Sequence, residues 1–320
     1  MRSYSRLTAT GQKQQKGSRV SHSPLRVNVT SAGLRLDQAA LRAALAKTPA
    51  SAPVVVMIHG FRFSPGARGN CPHLHIFSMT PPGGDRTAVS WPRQWAQDGQ
   101  AGLTIALGWP ARGNLILASR RAKAAGRALA TLADLVRQID PARQLDVIAH
   151  SLGARVALSA LHHAEPGAFR RMILLAGAET LRPATAAMAT PAGQAVQVIN
   201  VTTRENDLFD FLFEWLGKAG MDTSIGQGLR RRLPNWLDLQ IDQSATRAIL
   251  ARLGHALPAP PARICHWSLY TRSGTFALYR ALLTGVLSVP DLRALLPERP
   301  DRRWSRLWPS LHLPFRSGTA

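Results

Sequence analysis

From residue 25 onward the chain alternates two kinds of apolar pattern. Short runs that are apolar at nearly every position have the length and composition of strands buried on both faces: APVVVMI over 52–58, GLTIAL over 102–107, LDVIA over 145–149, RMILLA over 171–176 and VQVINVT over 196–202. Between them, apolar residues return at three- and four-residue intervals. Behind an Asp37 cap come Ala40, Leu41, Ala44 and Leu45; a long helix is predicted over 115–139; Val156, Ala157, Ala160 and Leu161 mark one over 152–163; further helices are predicted over 243–253 and 275–287. Leu25 to Thr30 alternates apolar and polar residues as an edge strand does. Strands alternating with helices predict an α/β chain with a doubly wound, mostly parallel sheet, whose ligands bind at the carboxyl ends of the strands.

The same reading divides the chain. Residues 1–22 are polar and basic and are read as a disordered segment, 23–290 as one domain, and 291–320 as a Pro- and Arg-rich tail carrying Trp304 and Trp308. Within the domain, 208–260 opens LFDFLFEWLGKAG and is read as a helical cap or lid insertion. Its Phe209, Phe211, Leu212, Phe213 and Trp215 are candidates for an acyl pocket or a lipid contact, and equally for ordinary core packing.

Chemistry points to one corner. The apolar run 145–149 turns through Ala149, His150, Ser151, Leu152 and Gly153 straight into a helix. Strand and helix backbones approach closely at such a turn, which calls for the small residues Ala149 and Gly153 on either side of the apex. Ser151 at the apex projects its hydroxyl out of the sheet, and the Leu152 N–H, in the unsatisfied first turn, is placed to face a developing oxyanion. A serine at a helix start is also a common plain cap.

These residues resemble the nucleophile elbow G-x-S-x-G of the α/β-hydrolase superfamily, with Ala149 in the place of the first glycine. The likeness is to uncharacterised bacterial α/β-fold serine hydrolases with an A-H-S-L-G elbow, and the Gly108-Trp109-Pro110 turn ahead of the long helix is similar too. The resemblance spans roughly residues 52–287. It implies a catalytic triad in the order Ser, acid, His: Ser151, then Asp207 in the loop after strand 196–202, then His266. Glu205 and Asp210 compete for the acid, and His255 and His312 for the histidine. It further implies an oxyanion hole from the Phe61 and Leu152 N–H groups, with His59, Gly60, His150 and Gly153 supporting the turns. The implied reaction is hydrolysis of a carboxylic ester, thioester or amide through an acyl-enzyme, on a small-molecule ester or acyl substrate and without a cofactor. Two rivals stay open: an inactive hydrolase-fold binding module, and an interfacial lipid hydrolase on anionic membrane.

Composition alters this picture little. The formal charge is +22, with 40 basic against 18 acidic residues, and all but five of the basic ones are Arg. They are scattered, apart from Arg230-Arg231-Arg232, and no aromatic-interleaved nucleic-acid motif accompanies them, so solvated surface is expected, with no specific nucleic-acid partner. Weak contact with an anionic membrane and the oligomeric state stay open. Cys71 and Cys265 cannot form a disulfide framework, and the N-terminal residues lack the apolar core of a secretion signal, which predicts a cytoplasmic home. Cys71, His73 and His75 have a zinc-like spacing without a fourth ligand; a loop beside the active-site mouth is expected there, and no metal. His59 is expected to be a turn residue rather than a ligand.

Overall fold

The computed structural model describes residues 23–97, 102–216, 222–229, 231–298 and 301. The segment 1–22, Arg230 and the tail residues Trp304, Trp308 and His312 lie outside them. The strands are β1 (Leu25–Thr30), β2 (Gly33–Arg35), β3 (Val54–Ile58), β4 (Leu103–Gly108), β5 (Leu145–His150), β6 (Phe169–Leu175), β7 (Gln197–Thr202) and β8 (Trp236–Gln240). They form one sheet in the order β2-β1-β4-β3-β5-β6-β7-β8. Among the described strands of this sheet only β1 and β2 pair antiparallel, and β1 is not the edge because it pairs with β4 as well.

The helices are α1 (Gln38–Ala46), α2 (Trp91–Trp95), α3 (Leu115–Ile139), α4 (Gly153–Ala160), α5 (Leu181–Ala189), α6 (Pro191–Ala195), α7 (Asp207–Leu216), α8 (Ser244–Arg252), α9 (Ser268–Thr271), α10 (Thr275–Thr284) and α11 (Val289–Leu295). They cover both faces of the sheet, and the pleat decides which residue meets which layer. In β3, Val54, Val56 and Ile58 join the core under α1, α3, α4 and α5, while Val55 and Met57 join the core under α2, α8, α10 and α11. That is why β3 is apolar at every position. Caps appear where expected: the Asp37 side chain accepts from the Ala40 N–H at 3.0 Å, and Asn114 from the Leu117 N–H at 2.8 Å. Gly126 lets α3 settle against α4, since a Cβ there would lie 2.6 Å from Ser159 Cβ.

The stretch 208–260 divides rather than forming one insertion. α7 and the turn at 225–227 lie beyond β7, but residues 236–240 return to the sheet as β8, parallel to β7, and α8 packs in the core. The domain also continues past 290. Val289 and Leu292 of α11 are buried, and the Arg293 guanidinium donates to the carbonyls of Leu233, Pro234 and Trp236. No helix among the described residues is long and apolar enough to cross a membrane.

Candidate functional site

β3 and β5 are neighbours in register, Ile58 opposite Ala149, so the two turns that follow them meet at one end of the sheet. Ser151 leaves β5 with φ 53°, a left-handed conformation that costs a non-glycine residue about 1–2 kcal/mol. Neighbours hold it there. Its N–H donates to the Leu175 carbonyl at 2.9 Å, and its own carbonyl accepts from the N–H groups of Ala154 and Ala178 at 3.0 and 2.9 Å. The turn is tight enough to require glycine on both sides. A Cβ on Gly60 would lie 2.8 Å from Ser151 Cβ, and one on Gly153 would lie 2.8 Å from the carbonyl oxygens of both Ile58 and His59.

His59 locks the partner turn. Trp109 donates its backbone N–H to His59 Nε2 and its indole N–H to the His59 carbonyl, both at 3.0 Å, and the rings stack at 5.5 Å. With Nε2 accepting, Nδ1 carries the proton and donates to the Gly60 carbonyl at 2.8 Å. Burial lowers this imidazole's pKa to about 3, so it is a neutral structural group. Next in the chain, the Phe61 N–H donates to no protein acceptor among the described residues, and neither does the Leu152 N–H. Arg62 follows with φ 75°, its N–H bonded to the Ala111 carbonyl, which fixes the turn that orients Phe61.

His266 reaches the same end of the sheet. Its Nδ1 lies 2.6 Å from Asn206 Oδ1; with the amide oxygen accepting, Nδ1 is protonated and Nε2 keeps its lone pair. His150 donates Nε2–H to the His266 carbonyl at 2.9 Å, and the two rings lie 4.6 Å apart. Burial, with His150 beside it, holds the His266 pKa well below 6.5, and burial takes His150 to about 4. Phe209 stacks on the outer side of the His266 ring at 4.7 Å. No hydrogen bond joins His266 to Ser151 Oγ.

Beside His266 the hydrogen-bond partner is the residue before the expected Asp207. Asn206, not Asp207, meets His266 Nδ1, because the single 3₁₀ turn Arg204–Asn206 after β7 ends with residue 206 toward the His266 loop, while Asp207 begins α7, buried, where a carboxylate suits the helix N-terminus. The competing carboxylates are engaged elsewhere. Glu205 forms a buried ion pair with Arg272, and its carbonyl accepts from the Cys265 N–H at 2.8 Å, which staples the two loops together. Asp210 accepts from Ser224 Oγ at 3.0 Å. His255 follows α8, its N–H closing that helix on the Leu250 carbonyl. The neutral Asn206 offered no charge to mark it in the sequence.

Residues 62–97 of the long connection pack beside this site through Phe63 and Phe77 against His59 and through Trp91 against Tyr270 and His150. His73 Nε2 is bonded to Asn28 Oδ1 at 2.7 Å and His75 Nε2 to Asp85 Oδ2 at 2.8 Å. No group of three His, Cys, Asp or Glu side chains among the described residues is arranged to hold a metal ion. A cavity of about 730 Å³ lies elsewhere, beside β8, lined by residues such as Arg204, Trp236 and Gln240 and touching neither Ser151 nor His266.

A family model described as an alpha/beta hydrolase of unknown function (DUF900) matches residues 36–176, from the first helix to the end of β6. Over these residues, 141 of the 320, the chain is similar to α/β hydrolases. The match takes in the Gly60 turn and the Ser151 elbow and stops before the Asn206 and His266 loops. Among solved structures, the crystal structure of the mature form of Bacillus licheniformis lipase BlEst2 is similar at 13% identity and a TM-score of 0.36, covering 64% of this chain and 93% of that one. No curated protein matches this chain by sequence.

Proposed function

We propose that the protein is a serine hydrolase cleaving a carboxylic ester, or a related thioester or amide, with Ser151 as nucleophile and His266 as general base. The observation that carries this reading is Ser151 itself: a serine held at φ 53° on a strand-to-helix corner, with Gly60 clearing the space beside it and Gly153 letting the corner close on the end of β3. Strain of this kind persists only where surroundings impose it, and it presents the hydroxyl above the sheet. His266 Nε2 takes the Ser151 proton as Oγ attacks the carbonyl carbon, and the Phe61 and Leu152 N–H groups receive the charge on the carbonyl oxygen. The tetrahedral adduct collapses, the leaving oxygen accepts the proton from His266, and the acyl group stays on Ser151. Water, deprotonated by the same histidine, then releases the acid. Asn206 keeps His266 in the tautomer with a free Nε2, the orienting role an amide has in other nucleophile–His–Asn arrangements. The Nε2···Oγ hydrogen bond forms when substrate enters, as catalytic hydrogen bonds often do.

Fluorophosphonate labelling of the wild type and of Ser151→Ala, followed by p-nitrophenyl esters of rising chain length, tests the assignment. Labelling and ester turnover that both vanish in a folded Ser151→Ala protein are expected. A folded wild type that neither labels nor turns over any ester moves the site to a binding module.

A further inference from the structure

α7 is amphipathic in the opposite sense to an ordinary surface helix. Its polar groups point inward: Asp210 accepts from Ser224 Oγ at 3.0 Å, Glu214 accepts from the Ser224 N–H at 2.7 Å and from Gln227 Nε2 at 3.1 Å, and Asp207 is buried. Phe213 packs inward as well, 5.3 Å from the Arg155 guanidinium. The outward side is Leu208, Phe211, Leu212 and Trp215, at i, i+3, i+4 and i+7, all exposed, Trp215 by 68%. An apolar stripe at that spacing normally faces the core. The patch adjoins the candidate base. Phe209 touches His266 on one side and lies 6.4 Å from Trp267 on the other, and Trp267 and Ile264 of the His266 loop are exposed too.

We propose that this face seats the protein on an anionic lipid surface, so that the substrate of the Ser151 site is an amphiphilic acyl ester presented in a bilayer or micelle. The substrate class rests on the serine-hydrolase reading; the seating does not. Three features select a lipid surface. All three acidic side chains of α7 are turned into the protein, so the stripe itself carries no negative charge, in a chain of net charge +22 that is drawn to anionic headgroups. Trp215 and Trp267 are the side-chain type that settles at a membrane–water boundary. The stripe continues onto the loop of the candidate base, where a buried acyl chain would have to arrive.

The test is flotation of the full chain with phosphatidylcholine vesicles, with and without phosphatidylglycerol, for the wild type, Phe211→Ser/Trp215→Ser and Ser151→Ala. Wild type is expected to float with the anionic vesicles and less so in high salt, the double variant to partition at least about tenfold more weakly, and Ser151→Ala to float like the wild type. Trp215→Ser alone, at the most exposed position, provides the same comparison should the double variant misfold. Absence of flotation in folded wild type, or equal flotation of the stripe variants, overturns the proposal. Self-association abolished by the stripe variants without flotation assigns the face to a second copy and overturns it too. Flotation does not read the serine chemistry, and fluorophosphonate labelling does not read the surface, so the two readings fail separately.

Discussion

Replacing Asn206 with Asp puts a negative charge where a neutral oxygen now accepts the His266 Nδ1 proton at 2.6 Å, with almost no change of shape. In the wild type, burial and the neighbouring His150 disfavour the imidazolium, so the imidazole stays neutral well below pH 6.5. A carboxylate at that position favours the charged form. A unit pair about 4 Å apart is worth about 1 kcal/mol in bulk water and about 4 kcal/mol at the effective dielectric of a protein surface site. At about 1.4 kcal/mol per unit, the half-buried His266 should titrate about 1–3 units higher in Asn206→Asp. In the proposed reaction general-base catalysis needs neutral His266, so the acid limb of kcat/KM moves to higher pH by the same amount. Above that limb kcat should rise, because the imidazolium formed during attack is then paired. The profile is measured on a soluble p-nitrophenyl ester, and the imidazole is titrated by NMR independently of turnover. A limb and a titration that both move by less than about half a unit would remove Asn206 from its role beside His266.

Ser151→Gly should be more stable than Ser151→Ala by about 1 kcal/mol, since both lose the hydroxyl and only Gly relieves the φ of 53°; equal denaturant midpoints would show the elbow to be unstrained. Arg272→Ala should destabilise by about 3–5 kcal/mol, because Glu205 is left charged and buried, whereas Glu205→Gln/Arg272→Met should recover much of the loss; a single variant as stable as the double one contradicts the staple. His59 and His150 are held neutral to about pH 3 and 4 while the unfolded chain protonates its histidines near 6.5, so stability is complete above that value and falls as pH drops from about 6.5 toward 4, by about 1.4 kcal/mol per unit for each of the two. Unfolding free energies that stay flat between about pH 6.5 and 4.5 would refute the neutral assignment of both rings.

Much of the fold was legible because its central strands are covered on both faces. β3 reads as an unbroken apolar run, β5 and β7 as apolar runs interrupted by Asp146 and by Gln197 and Asn200, α3 was bounded at Leu115 and Ile139, and the Asp37 cap marked the start of α1. The periphery was not legible. β8 has only the five residues Trp236–Gln240, one of them the exposed Asp238, and it follows the polar run RRRLPN, so nothing local separates it from an insertion. α11 holds its place through Arg293 and three carbonyls of the segment before and within β8, a long-range contact without a local pattern.

By itself the sequence determined the alternation of strands and helices, the corner at Ser151 and its glycine at 153, and the turn at His59-Gly60, since each depends on residues adjacent in the chain. Tertiary structure alone decided which side chain from the 204–210 loop meets His266. Glu205, Asn206, Asp207 and Asp210 all lie within seven positions, and a helical turn directs each one differently. Long-range partners settle the outcome: Arg272 takes Glu205, Ser224 takes Asp210, and His266 receives Asn206. Chain order can supply a set of candidates, but hydrogen-bond geometry assigns them only after elements some 60 residues apart have been packed against one another.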